Sequence, residues 1–112
     1  MENIFDKEPD CLVQLAHRMQ RERFAICLDL VHAHLSKTPV TQWQRACDPY
    51  VIHYHINDNH RKVYEHLPLG EGIAPWAEVL PLVKRNSSLL LEVNSLESYH
   101  KSAHGVDAPV RA

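Results

Sequence analysis

Nowhere does the sequence run apolar for the roughly 20 residues that a membrane-spanning helix needs, and its first residues lack the basic-then-apolar layout of a secretory leader. No membrane partner is expected, and the expected compartment is the cytoplasm. There is no C-x-x-C pair either. The three cysteines, Cys11, Cys27 and Cys47, are odd in number, which argues against a disulfide framework and fits reduced thiols. Charge of one sign is also missing. Twelve Lys and Arg against 14 Asp and Glu leave a formal net charge of −2, so no broad attraction to nucleic acid is expected. No low-complexity segment or inter-domain linker interrupts the 112 residues, a length that supports one domain with a modest core. What the chain has in quantity is histidine: nine residues, too dispersed to be a tag.

Apolar residues alternate between short runs and helical stripes. Residues 2–5 (ENIF) are a short strand candidate, followed from Pro9 by a helix with Leu12, Leu15, Ala16 and Met19 on one side. Residues 24–30 (FAICLDL) form a second strand. Thr38 is placed to cap a helix with Pro39 at its first position and Val40, Trp43 and Cys47 on its buried face. Residues 50–57 (YVIHYHIN) form a third strand. After a long loop, Pro75 opens a helix whose stripe is Trp76, Val79, Leu80 and Val83. Residues 88–93 (SLLLEV) form a fourth strand, and Leu96, Tyr99 and Ala103 mark a last short helix before a tail, 105–112, expected to fray. Strands alternating with helices of these lengths predict parallel strands with helical crossovers, an α/β fold.

The polar residues then fall into a pattern. Asp29, His55 and Glu92 each lie within two residues of the end of a strand, where parallel α/β folds place their sites, and Glu2 starts the first strand. His32 and His34 follow Asp29 closely. Taken alone, Asp29 reads equally as an edge carboxylate facing water, and His55 as a hydrogen-bonded core histidine. His53 shares a face with His55. His34 and His60 read as surface residues, and Trp43 and Trp76 as core or interface. Gly70-Glu71-Gly72 reads as a turn requiring positive φ rather than a phosphate cradle, since no helix starts directly after it.

Four segments in order, ICLDLVHAH, HYHINDN, EHLPLGEG and LLLEVNS, resemble the xylose isomerase-like (β/α)8 barrel superfamily, which includes sugar and sugar-phosphate isomerases and epimerases and metal-dependent apurinic-site endonucleases. The likeness covers residues 2 to 103 and corresponds to the C-terminal half of such a barrel. It implies a partial TIM barrel of four parallel βα units over residues 1–104. It also implies that Glu2, Asp29, His55 and Glu92 ligate one divalent ion. Three carboxylates and an imidazole suit Mn²⁺ or Mg²⁺, with Co²⁺ or Zn²⁺ as alternatives. By the same resemblance His32 and His66 touch the substrate, a sugar or small hydroxy-ketone, and Glu2 and Glu92 exchange its proton through an enediolate.

Two rival readings stand beside this one. Phosphodiester hydrolysis at abasic DNA needs several metals, and multi-metal members carry Asp-x-His where this chain has Tyr64, Glu65 and His66. Its acidic balance also lacks the clustered cations of a DNA-binding face. The other rival is a chain without activity of its own. Such barrels run to about 250 residues, and four strands cannot close an eight-stranded ring. The edges at 2–5 and 88–93 would stay unpaired, so self-association or pairing with a missing N-terminal half-barrel is expected.

Overall fold

In a computed structural model the described residues are 1–4, 6–19, 22–62 and 65–111, with side chains through residue 103. Three parallel strands, β1 (Ile26–Asp29), β2 (Val51–Ile56) and β3 (Ser88–Leu91), form one open sheet in the order β1-β2-β3. Helices α1 (Asp10–Arg18), α2 (Leu30–Leu35), α3 (Val40–Cys47), α4 (Trp76–Val79) and α5 (Leu96–Arg111) accompany it. This is the α/β architecture expected from the alternation of elements, and the partial barrel that the resemblance implies.

The fourth expected strand contracts to one parallel bridge, Glu2 to Cys27. A side chain is the reason. The Asn3 amide takes over the pairing, its Oδ1 accepting from the Asp29 N–H at 2.7 Å and its Nδ2 donating to the Asp29 carbonyl at 3.0 Å. An amide side chain thus stands in for the next rung of backbone ladder. Phe5, the last residue of the expected strand, lies outside the described residues.

The core lies on one side of the sheet. Ile26, Leu28, Val51, Tyr54 and Ile56 meet Leu12 and Ala16 of α1, Val40, Trp43 and Cys47 of α3, and Val79 of α4. Trp43 is fully buried, its indole Nε1 donating to Ser36 Oγ at 2.9 Å. Thr38 does not cap α3. Its hydroxyl donates to the Lys7 carbonyl at 2.8 Å, and α3 starts at Val40 behind Pro39 without a side-chain cap. The other face carries Cys27, His53 and His55, all half-buried, with Leu90 beside His55 in register. It is more polar than the apolar lumen that packing alone would ask for.

Apolar stripes overstate burial at the margins of the fold. Leu15 of α1, Met19 at its C-cap, and Leu96 and Tyr99 of α5 are exposed. Among its described side chains α5 buries Ser102, whose Oγ accepts from the Leu69 N–H at 3.1 Å. Leu89 and Leu90 of β3 are 40% and 46% exposed, because β3 is the outer strand of an open sheet and has no neighbour beyond it among the described residues.

The long loop after β2 is organised by Asp58, which is fully buried. Its carboxylate accepts from Gly70 N at 2.8 Å, Ala74 N at 3.2 Å, Trp76 Nε1 at 2.8 Å and its neighbour Asn59 N at 2.8 Å. Its backbone exchanges two hydrogen bonds with Leu67. Gly70 has φ of +92°, the turn conformation expected of the Gly-Glu-Gly stretch, whereas Gly72 is needed for a different reason. A Cβ there would collide with Asp58 Oδ1 and the Asn59 backbone. Gly70→Ala should therefore cost about 1–2 kcal/mol of backbone strain. Gly72→Ala should cost more, above about 2 kcal/mol, since backbone cannot step aside. Urea denaturation of the two variants checks the order. Equal losses would mean that close approach at Gly72 is not what fixes the loop.

Candidate metal centre

Asp29 ends β1 and caps α2, and its two carboxylate oxygens have separate duties. Oδ1 accepts from the N–H groups of Val31 and His32, each at 2.9 Å, which caps α2. Oδ2 faces the sheet's polar face, 3.5 Å from His32 Nδ1 and 3.8 Å from His55 Nδ1. The side chain is buried, so the edge-carboxylate reading does not hold. Burial, with smaller contributions from Glu2 and Glu92, pushes its carboxyl up to about 6 despite the opposing hydrogen bond from His32 N–H.

His55 stands at the centre of the group. Its Nδ1 lies 3.2 Å from Glu2 Oε1, 3.6 Å from Glu92 Oε1 and 3.8 Å from Asp29 Oδ2. Three carboxylates from three separate parts of the sheet meet at one imidazole nitrogen. The register explains it: Asp29 and His55 are direct partners across β1 and β2, and Glu92 follows β3, its N–H donating to the Ile56 carbonyl at 3.0 Å. Glu2 sits one layer lower, opposite Cys27, and its longer side chain reaches up to the same point.

His32 differs from His55 in what its Nδ1 does. That nitrogen lies 2.8 Å from the Asn3 carbonyl, which can only accept, so Nδ1 carries the proton and the lone pair is at Nε2. Ligand atoms of Glu2, Asp29 and His32 approach within 4.8 Å of one another, as do those of Asp29, His55 and Glu92, and the two triads share Asp29. His66, with φ of +49°, comes from the loop held by Asp58, its Nδ1 3.0 Å from the Glu92 carbonyl and 3.2 Å from Asn57 Nδ2. Asp29, His32, His66, Glu92 and Asn57 line a cavity of about 320 Å³. Glu2 and His55 do not line it; they lie beside it, His55 against Asp29 and Glu92 and Glu2 against His55 and His32.

A family model of the xylose isomerase-like TIM barrel matches residues 1–105. The chain belongs to that family. Among solved structures it is similar to the TTHB071 protein from Thermus thermophilus soaked with ZnCl2, with 24% identity and a TM-score of 0.80 over 98% of this chain and 43% of that one. It is also similar to a D-tagatose 3-epimerase-like protein, with 21% identity and a TM-score of 0.85 over 98% of this chain and 45% of that one. At these identities the likeness is one of fold, and the chain spans less than half the length of either neighbour. No curated protein matches it.

Within this xylose isomerase-like half-barrel the sequence hides several contributors. Asn3 fixes the backbone of Asp29 and orients His32, and Asp58 holds the loop that presents His66. The only signal for them is position: Asn after Glu2, and Asn-Asp-Asn directly after β2. His34, expected at the surface, is buried on α2. Burial and the nearby Arg61 push its imidazole down, and its Nε2 has no hydrogen-bond partner among the described residues. The short helix that turns it inward is not visible as a stripe in six residues. His60 is at the surface as expected, with its Nδ1 2.9 Å from Glu65 Oε2. Tyr64, on which the expectation against several metals rests, lies outside the described residues.

The Asp29 carboxyl gives a signed pH effect. Its folded value of about 6 lies above the ordinary one, so without a cation the protonated form favours folding. That contribution is complete below about pH 4 and is lost as pH rises through 6, amounting to about 3 kcal/mol at most. Asp29→Asn keeps an oxygen for the cap and removes the titration. In chelator, the stability of the parent chain relative to Asp29→Asn should fall between pH 4.5 and 7. A difference that stays flat, or rises, contradicts the burial of this charge.

Proposed function

We propose that this chain carries the metal-binding and proton-transfer part of a sugar or sugar-phosphate isomerase or epimerase site. The observation that carries the reading is the meeting of Glu2, Asp29 and Glu92 at His55 Nδ1 beyond the carboxyl ends of parallel strands. Like charges so placed repel when all are ionised, and burial, with smaller contributions from Glu2 and Glu92, already raises the Asp29 carboxyl. A cation relieves the repulsion, so the donor set fits a divalent ion held by Glu2, Asp29, His55 and Glu92. One imidazole among oxygens favours Mn²⁺ or Mg²⁺, with Co²⁺ or Zn²⁺ as alternatives. Support also comes from the two neighbours, one described as D-tagatose 3-epimerase-like and the other soaked with ZnCl2.

Bound there, the ion supplies Lewis-acid polarisation of a substrate carbonyl. The protein's own groups divide the remaining work by accessibility. The Asp29 side chain is only 2% exposed and engaged at both oxygens, so it stays a ligand and a cap. Glu2 and Glu92 keep 28% and 30% of their side chains open and flank His55 from opposite edges of the sheet. Each can reach one face of a substrate carbon, Glu92 taking a proton beside the carbonyl and Glu2 returning one. His32, with its proton fixed on Nδ1, presents Nε2 to the cavity as an acceptor for a substrate hydroxyl, and His66 faces the same cavity. A volume of about 320 Å³ suits a small sugar or hydroxy-ketone.

Calorimetry with Mn²⁺ should find one site, weakened about tenfold or more in Asp29→Asn and His55→Ala and little changed in His32→Ala. Its affinity should drop as pH falls through 6, because protonated Asp29 no longer ligates. In the assembled protein, a ketose in D₂O should gain carbon-bound deuterium with Glu92 intact and not with Glu92→Gln. Cleavage of an abasic oligonucleotide without exchange at the sugar would overturn the isomerase reading in favour of phosphodiester hydrolysis.

Assembly belongs to the same proposal. Met1, Ile4, Ile52, Leu89 and Leu90 are each 40% exposed or more, on the margins and the open face of the sheet. Covering them stabilises the chain, and an unpaired outer strand is a template for pairing. The chain should therefore self-associate or take up a complementary half-barrel. Light scattering at low micromolar concentration tests this: a mass above the 12.9 kDa of one chain is expected. A sharp monomer with a cooperative thermal transition would show that the open sheet needs no cover.

A further inference from the structure

We propose that Cys27, His53 and His55 form a second cation site, of softer ligand type, one layer below the carboxylate group on the same face of the sheet. The inference goes beyond the isomerase reading and shares only His55 with it. Parallel pairing sets Cys27 directly beside His53, and His55 follows two residues along β2 on the same face. Their ligand atoms all lie within 4.8 Å of one another, and the two rings meet edge to face with centroids 5.1 Å apart. In a tetrahedral zinc site, sulfur and nitrogen ligands sit about 3.5 Å from each other, so side-chain rotation alone can close the sphere.

Burial, with Glu2 and Asp29 nearby, pushes the Cys27 thiol up to about 11, so only a bound cation would draw off its proton. It is position on the sheet that argues for a ligand role over a packing role. Of the three cysteines, Cys47 is buried in the core and Cys11 is exposed on α1, while Cys27 alone is half-buried on the polar face, outside the core. His53 Nδ1 lies 2.6 Å from Ser88 Oγ on β3, which fixes the ring and leaves Nε2 for a ligand bond, as outer partners of metal-bound histidines do. One sulfur and two imidazoles make a donor set for Zn²⁺, Co²⁺ or Cd²⁺ and a poor one for Mg²⁺ or Mn²⁺, whose preference is oxygen. Forming the sulfur–metal bond sends the thiol proton to solvent and changes no oxidation state. Three protein ligands leave a fourth position for water, the arrangement of zinc sites that do chemistry rather than hold a fold together.

The test is a Co²⁺ titration of the full chain with Cys11→Ser as background, followed by absorption. A near-ultraviolet thiolate-to-cobalt charge-transfer band is expected. It should be lost in Cys27→Ser, while Mn²⁺ affinity stays unchanged. His53→Ala should keep the band and weaken Co²⁺ binding about tenfold or more, which guards against a Cys27 variant that fails to fold. Absence of the band in the background protein, or its survival in Cys27→Ser, overturns the proposal. The two readings separate cleanly. Loss of Mn²⁺ binding with the band intact sinks the carboxylate site alone, and Mn²⁺ binding without the band sinks the thiolate site alone.

Discussion

The arrangement of the site depends on one carboxylate held out of water and used from both sides. Asp29 gives Oδ1 to the first N–H groups of α2 and turns Oδ2 toward His55. Capping an orphan helix end is worth about 1 kcal/mol, less than the cost of burying a charge. The deficit appears in a carboxyl raised to about 6. A structural role alone would not require Glu2 and Glu92 to crowd the same imidazole. In the proposed function, a bound cation is what would relieve this crowding.

The rest of the fold serves to keep that crowding in place. The apolar face of the sheet packs on α1, α3 and α4, which fixes the register and sets Asp29 beside His55. A slip of one residue would turn both into the core, so the hydrophobic pattern also enforces the polar one. Asn3 ties the chain start to the Asp29 backbone, and Asp58 ties the long loop to the start of α4. Each brings a distant segment to the site by a side-chain bond where no strand ladder exists.

How much of this the sequence discloses varies with the kind of signal. The strand expected at 50–57 lies within one residue of β2 at either end, because β-branched and aromatic residues bounded by Pro and Asn leave little choice. Asp29, His55 and Glu92 are recognisable as strand-end residues, and they do converge. The role of Asp29 as a helix cap is not legible, since α2 begins at the very next residue and is too short to show a stripe. That omission also misplaces His34. The Leu89-Leu90-Leu91 run looks fit for burial on both faces, yet burial depends on a neighbour that a single sequence cannot supply. Thr38 and Asn3 show the same limit from the polar side: which group a hydroxyl or amide will meet is settled by tertiary contact.

If both proposals hold, two donor sets stack on one sheet face, an oxygen-rich one above and a sulfur-containing one below. The central claim is that the upper set is a metal site built around His55. Anomalous scattering from crystals grown with Mn²⁺ tests it most directly. The account expects one strong peak bounded by Glu2, Asp29, His55 and Glu92, with Asp29 Oδ1 still on the α2 amides. A peak elsewhere, or crystals of the assembled protein with no ordered Mn²⁺ among these four side chains at neutral pH, would contradict it.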